Sequence, residues 1–99
     1  MSEALPETNV FRMETDVIPE GVNITLAGRR SSLIEQWRNG ELDAESAYTA
    51  LEHLYWQSQP TADDETRFYL RESSYQFPVE AGMDEHIVGS IFKRVQEAY

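Results

Sequence analysis

His53 and His86 are the only side chains in this sequence whose unperturbed pKa lies near neutrality, so acid–base chemistry at physiological pH would fall first to one of them. Neither has catalytic company. The sequence carries no Gly-x-Ser-x-Gly elbow and no nucleotide fingerprint, and no Ser/His/Asp arrangement stands out. On a helix through the following apolar repeat, His53 falls far from the Leu51 stripe and faces solvent. Asp63-Asp64-Glu65 and Asp84-Glu85-His86 offer oxygen and nitrogen donors, yet neither has the spacing of a zinc or calcium site. Acids that open a helix are already accounted for by its dipole. The residues therefore point away from an enzyme, and to no metal and no cofactor.

Two other groups could hold a partner. Leu26-Ala27-Gly28-Arg29-Arg30-Ser31-Ser32 leads from an alternating segment through a glycine toward a helix start, which makes Arg29, Arg30, Ser31 and Ser32 candidate contacts for a phosphate or carboxylate. The second glycine and the Lys-Ser/Thr of a P-loop are missing, and Ser32 with Glu35 is also an ordinary capping box. The other group is the stretch ELDAESAYTALEHLYWQSQPTADDE, residues 41–65, with seven carboxylates and no Lys or Arg. At 100° per residue Glu41, Glu45 and Glu52 fall within about 40° of one another beside the apolar stripe. Asp63, Asp64 and Glu65 would extend this row, and Trp56, about 40° from Glu52, is either an aromatic anchor for an Arg-rich or Lys-rich partner or, as the core's need for aromatics favours, covered by the third or the C-terminal helix. Solubility alone also favours an acidic surface. It does not account for the lack of basic neighbours, since mixed signs would gain i, i+4 pairs and relieve self-repulsion.

The elements that must position these residues follow from periodicity. Residues 1–8 read as a flexible N-terminus and 9–99 as one compact domain. Phe11, Met13, Thr15 and Val17 alternate with polar residues, Pro19-Glu20-Gly21 is a turn signal, and Val22, Ile24 and Leu26 alternate again, which predicts a β-hairpin over 9–27. A helix is expected from Ser32 to the stop at Asn39-Gly40. A second is capped by Asp43 and carries Ala44, Ala47, Tyr48, Leu51, Leu54 and Tyr55 until Ser58-Gln59-Pro60. Residues 62–73 fit both periods; Thr61 as N-cap and acids in the first turn decide for helix. Tyr75, Phe77 and Val79 alternate and are the candidate third strand. Asp84 caps the last helix, with Ile87, Val88, Ile91, Phe92 and Val95 in one stripe. The expected fold is α+β: an N-terminal hairpin, with a third short strand near 75–79, packed against three or four helices.

Composition bounds the function. Eighteen acidic against eight basic residues give a formal net charge of -10, which opposes direct contact with nucleic acid or an anionic membrane. The absence of cysteine removes disulfides and thiolate chemistry and suits a reducing compartment. The N-terminal residues have no secretory pattern and no apolar run is long enough to span a bilayer, so the expected location is the cytoplasm, or the host cytoplasm for a phage-encoded protein. The function expected is that of a small acidic inhibitor or modulator that occupies the basic, nucleic-acid-binding surface of a larger protein as an electrostatic DNA mimic. Phage and mobile-element inhibitors of host defence machinery share this size and charge, a likeness of type alone. The alternative is a structural or regulatory subunit, or a homodimer, held by an apolar face of the C-terminal helix, with acidity serving solubility. A third reading is a small domain binding an anionic ligand through Arg29 and Arg30.

Overall fold

The computed structural model describes residues 17–99, which form four helices and, among the described residues, no strand. The expectations for the N-terminal residues 1–8 and for a first strand over 9–16 lie outside the described residues. Helix α1 spans Ile24–Arg38, α2 Ala44–Ser58, α3 Asp64–Ala81 and α4 Glu85–Glu97. The expected α+β fold is thus corrected: the described residues are helical, with no strand among them.

Pro19-Glu20-Gly21 does form a turn, with the Val22 N–H donating to the Pro19 carbonyl at 3.2 Å and Gly21 at φ 92°. It leads into a helix instead of a second strand. Asn23 is the N-cap, its Oδ1 accepting from the Leu26 N–H at 3.0 Å. Six residues of alternation are matched equally well by a helix entrance: Val22 is buried ahead of the cap, and the inward positions then run Ala27, Arg30 and Ile34 at helical spacing. Ser32, expected to cap a helix, lies in its middle and accepts from Gln36 Nε2 at 3.0 Å.

The third strand is also corrected, because residues 75–79 belong to α3. Phe77 points inward while Tyr75 and Val79 point outward, so the observed alternation is a helix sampled every second residue. Pro78 has no N–H for the i−4 carbonyl, but it sits in the last turn, where little helix remains to disrupt. The helix then closes with the Met83 N–H on the Pro78 carbonyl at 2.9 Å and the Gly82 N–H on the Val79 carbonyl at 3.2 Å, with Gly82 left-handed at φ 67°. Helix α1 ends the same way at Asn39-Gly40, as expected, with Glu41 N–H on the Gln36 carbonyl at 2.8 Å and Gly40 N–H on that of Trp37 at 3.1 Å. The boundaries of α2 fall where Asp43 and Ser58-Gln59-Pro60 place them.

Helix α2 is the centre of the molecule, and α1, α3 and α4 all pack on it. The core joins Ile34 of α1, Ala47, Tyr48 and Leu51 of α2, Phe77 of α3, and Ile91 and Val95 of α4. Trp37 meets Phe77 edge to face, with centroids 4.9 Å apart at 72°. None of the helices among the described residues is long and apolar enough to cross a membrane.

Candidate functional site

The acidic stretch 41–65 is divided by the helix it contains. Glu41 follows the Gly40 turn, Asp43 caps α2 and Glu45 lies in its first turn, whereas Asp63, Asp64 and Glu65 open α3 beyond the other end of α2. All six are exposed. Helix α2, 15 residues or about 22 Å long, lies between the two groups. Asp43 Oδ1 accepts from the Ser46 N–H and Asp63 Oδ1 from the Thr66 N–H, each at 2.8 Å. Hydrogen bonds from Ser46 hold the Asp43 carboxyl below its ordinary pKa, and those from Thr66 do the same for Asp63. Asp64 pairs with Arg67, one turn along. Glu65 lies against Gly21, where any Cβ would overlap its carboxylate.

Glu52 does not join this surface. It is 0% exposed, and the row expected from Glu41, Glu45 and Glu52 is therefore broken. Three neighbouring helices bury a wider arc of α2 than its apolar stripe alone would indicate, and Glu52 falls at the edge of that arc. Its Oε1 accepts from Trp56 Nε1 at 3.2 Å, and its Oε2 stands 3.5 Å from Arg71 Nη1. Burial raises the pKa of the adjacent Tyr48 hydroxyl, and the charge of Glu52 and the hydrogen bond to it act in the same direction. The Arg71 guanidinium lies 3.8 Å from the Tyr55 ring centroid and 5.3 to 5.6 Å from those of Tyr75, Phe92 and Trp56. Trp56 is half-buried in this cluster beside Phe92, which matches the expectation of a packed aromatic and not that of an exposed anchor.

The candidate anion contacts also separate. Arg30 is buried at 4% exposure; its Nε donates to Ser73 Oγ and its Nη1 to the Tyr69 hydroxyl at 2.9 Å, with the guanidinium 4.7 Å from the Tyr69 ring centroid. Burial is the main cause of its lowered pKa. Ser31 is half-buried in mid-helix. Only Arg29 and Ser32 stay together, one turn apart, in a groove of about 440 Å³ between α1 and α2 that His53 and Gln57 also line. His53 is hydrogen-bonded through Nδ1 to the Tyr99 hydroxyl at 2.9 Å.

Arg38 and Arg67 are engaged as well. Arg38 meets Glu80 at 3.2 Å and Glu35 at 3.7 Å, while Arg67 Nη1 donates to the carbonyls of Ala62 at 2.9 Å and Gln59 at 3.3 Å, tying the α2–α3 connection together. Residues 17–99 hold fourteen carboxylates and seven basic side chains, and among them twelve carboxylates are exposed against three basic side chains, Arg29, Lys93 and Arg94, so the surface is more one-sided than the composition of these residues. No group of three His, Asp or Glu side chains that could hold a metal ion is found among the described residues.

The sequence reading missed where the exposed apolar surface lies. The stripe of α4 is turned inward at Ile91 and Val95, whereas Phe68, Tyr75 and Val79 of α3 are 70%, 67% and 64% exposed. Their i, i+7, i+11 spacing was the available signal, hidden once 75–79 was read as a strand. Comparison of the chain with protein-family models, with curated proteins and with solved structures finds no match.

Proposed function

We propose that this protein binds, without catalysis, to the basic, nucleic-acid-binding surface of a larger protein. The observation that carries the reading is the segregation of charge: arginines engaged inside the fold, and twelve carboxylates against three basic side chains on the outside of the described residues. Such a surface speeds encounter with a basic patch and repels nucleic acid. The helix between the two acidic groups is about 22 Å long, about six phosphate steps of one DNA strand, so competition with DNA for the same patch is part of the proposal.

The test is capture from cell lysate on the immobilised full chain at about 0.1 M salt, with duplex DNA as competitor. A nucleic-acid-binding protein retained by the native chain, displaced by DNA, and lost with Glu41→Lys, Glu45→Lys and Asp64→Lys combined supports the reading. Capture unchanged by these reversals contradicts it. Glu52→Lys is not a suitable reversal, since it would set a second cation against Arg71 in the interior.

One observation favours a second reading, a small anionic ligand held by Arg29, Ser32 and His53 in the α1–α2 groove. Saturable binding of inorganic phosphate, abolished by Arg29→Ala, would support it, and no heat of binding at millimolar phosphate would dismiss it.

A further inference from the structure

The outward face of α3 combines large apolar side chains with carboxylates. Glu65, Phe68, Glu72, Tyr75 and Val79 lie within about 80° of arc and all are exposed. At its N-terminal end the face runs into a groove of about 270 Å³ lined by the apolar Pro19, Val22 and Phe68, by Tyr69 and by the carboxylates Glu20, Glu65 and Glu72. Apolar walls beside three carboxylates match a long side chain with an aliphatic stem and a cationic head. The fold already seats guanidinium groups on tyrosine rings twice, Arg30 on Tyr69 and Arg71 on Tyr55.

We propose that this face of α3 is the docking surface for a basic amphipathic segment of the partner, with one Arg or Lys of that segment in the groove beside Phe68 and its apolar side chains on Tyr75 and Val79. The proposal rests on the reading of a basic partner and adds the place and the chemistry of contact. Charge complementarity selects this occupant over a second copy. Arg71 is turned inward onto Glu52, and Arg67 lies off this face, tied to Asp64 and to the Ala62 carbonyl, so a two-fold contact would set Glu65 and Glu72 against like charges with no free cation on the face to offset them.

The probe is a 14-residue helical peptide of Arg and Leu, with a second peptide of equal charge in which Ser replaces Leu, each titrated into the isotopically labelled full chain at about 0.1 M salt and followed by amide NMR shifts. The expected result is that the largest shift changes run from Phe68 to Val79 and that the Ser peptide binds at least about tenfold more weakly. Phe68→Ser, or Glu65→Gln with Glu72→Gln, should weaken binding about tenfold, and Glu41→Gln with Glu45→Gln less than about twofold. Phe68 is exposed, so its variant should melt as the native chain does. Equal binding of both peptides, or changes centred on Glu41 to Glu45, would overturn the docking proposal and leave the acidic-surface reading standing. No shift change with either peptide would overturn it too, with the basic-partner reading then decided by the lysate capture. Broadening of the Phe68 and Tyr75 signals with protein concentration alone would assign the face to a second copy, and contacts from residues 1–16 to Phe68 in the free chain would assign it to the chain itself.

Discussion

Glu52 is a carboxylate with no solvent contact, and its charge is balanced by one guanidinium held in place by four aromatic rings. Removing one member of such a pair leaves the other without compensation. Arg71→Met should therefore destabilise the fold by about 3 kcal/mol in urea denaturation at pH 7, and adding Glu52→Gln should recover part of that loss. A cost well under 1 kcal/mol for the single change would show that the pair is not coupled. Asp63 acts in a different way, as an exposed cap with a lowered pKa. Its unfolded-state pKa is near 3.9, so the stabilisation is present above that value and is lost as pH falls through the lower folded-state pKa. Asp63→Ala should thus lower the melting temperature at pH 7 and 5 and make little difference near pH 2, as thermal melts at the three pH values would record. The cap role of Asp43 was legible in the sequence because capping is local chemistry. The burial of Glu52 was not, because the width of the buried arc depends on how many helices surround α2.

At the scale of elements, the helix ends are set by backbone geometry that can be tested by substitutions of opposite sign. Gly82 closes α3 at φ 67° with open space around it, so Gly82→Ala meets no clash and costs only the left-handed conformation, about 1 kcal/mol. Gly89 lies inside α4, also in open space, and Gly89→Ala should stabilise by up to about 1 kcal/mol. Chemical denaturation of both variants checks the pair, and an equal effect of the two would contradict this account. A glycine signal of the same kind, Asn39-Gly40, made the C-terminal end of α1 readable from sequence, and the Asp43 cap did so for the start of α2. What misled was short alternation: Val22, Ile24, Leu26 and later Tyr75, Phe77, Val79 satisfy period 2 over too few residues to exclude period 3.6. The second of these segments hid one long helix face, and with it the exposed Phe68, Tyr75 and Val79.

At the scale of the whole molecule, inward-turned arginines concentrate negative charge outside, and that charge repels itself in the folded state. Raising salt from about 0.05 to 0.5 M should therefore raise the melting temperature, since screening acts on exposed charges first. A melting temperature that falls or stays constant would mean that the exposed carboxylates are already compensated. The net charge was legible from composition; its segregation was not, since only folding determines which cations are used internally. If this segregated surface is a binding surface, capture on the full chain at about 0.1 M and about 0.5 M salt reads it out. A nucleic-acid-binding protein should be retained at the lower salt and released at the higher one. A partner that persists at the higher salt, or no partner at the lower, would contradict the binding-surface reading.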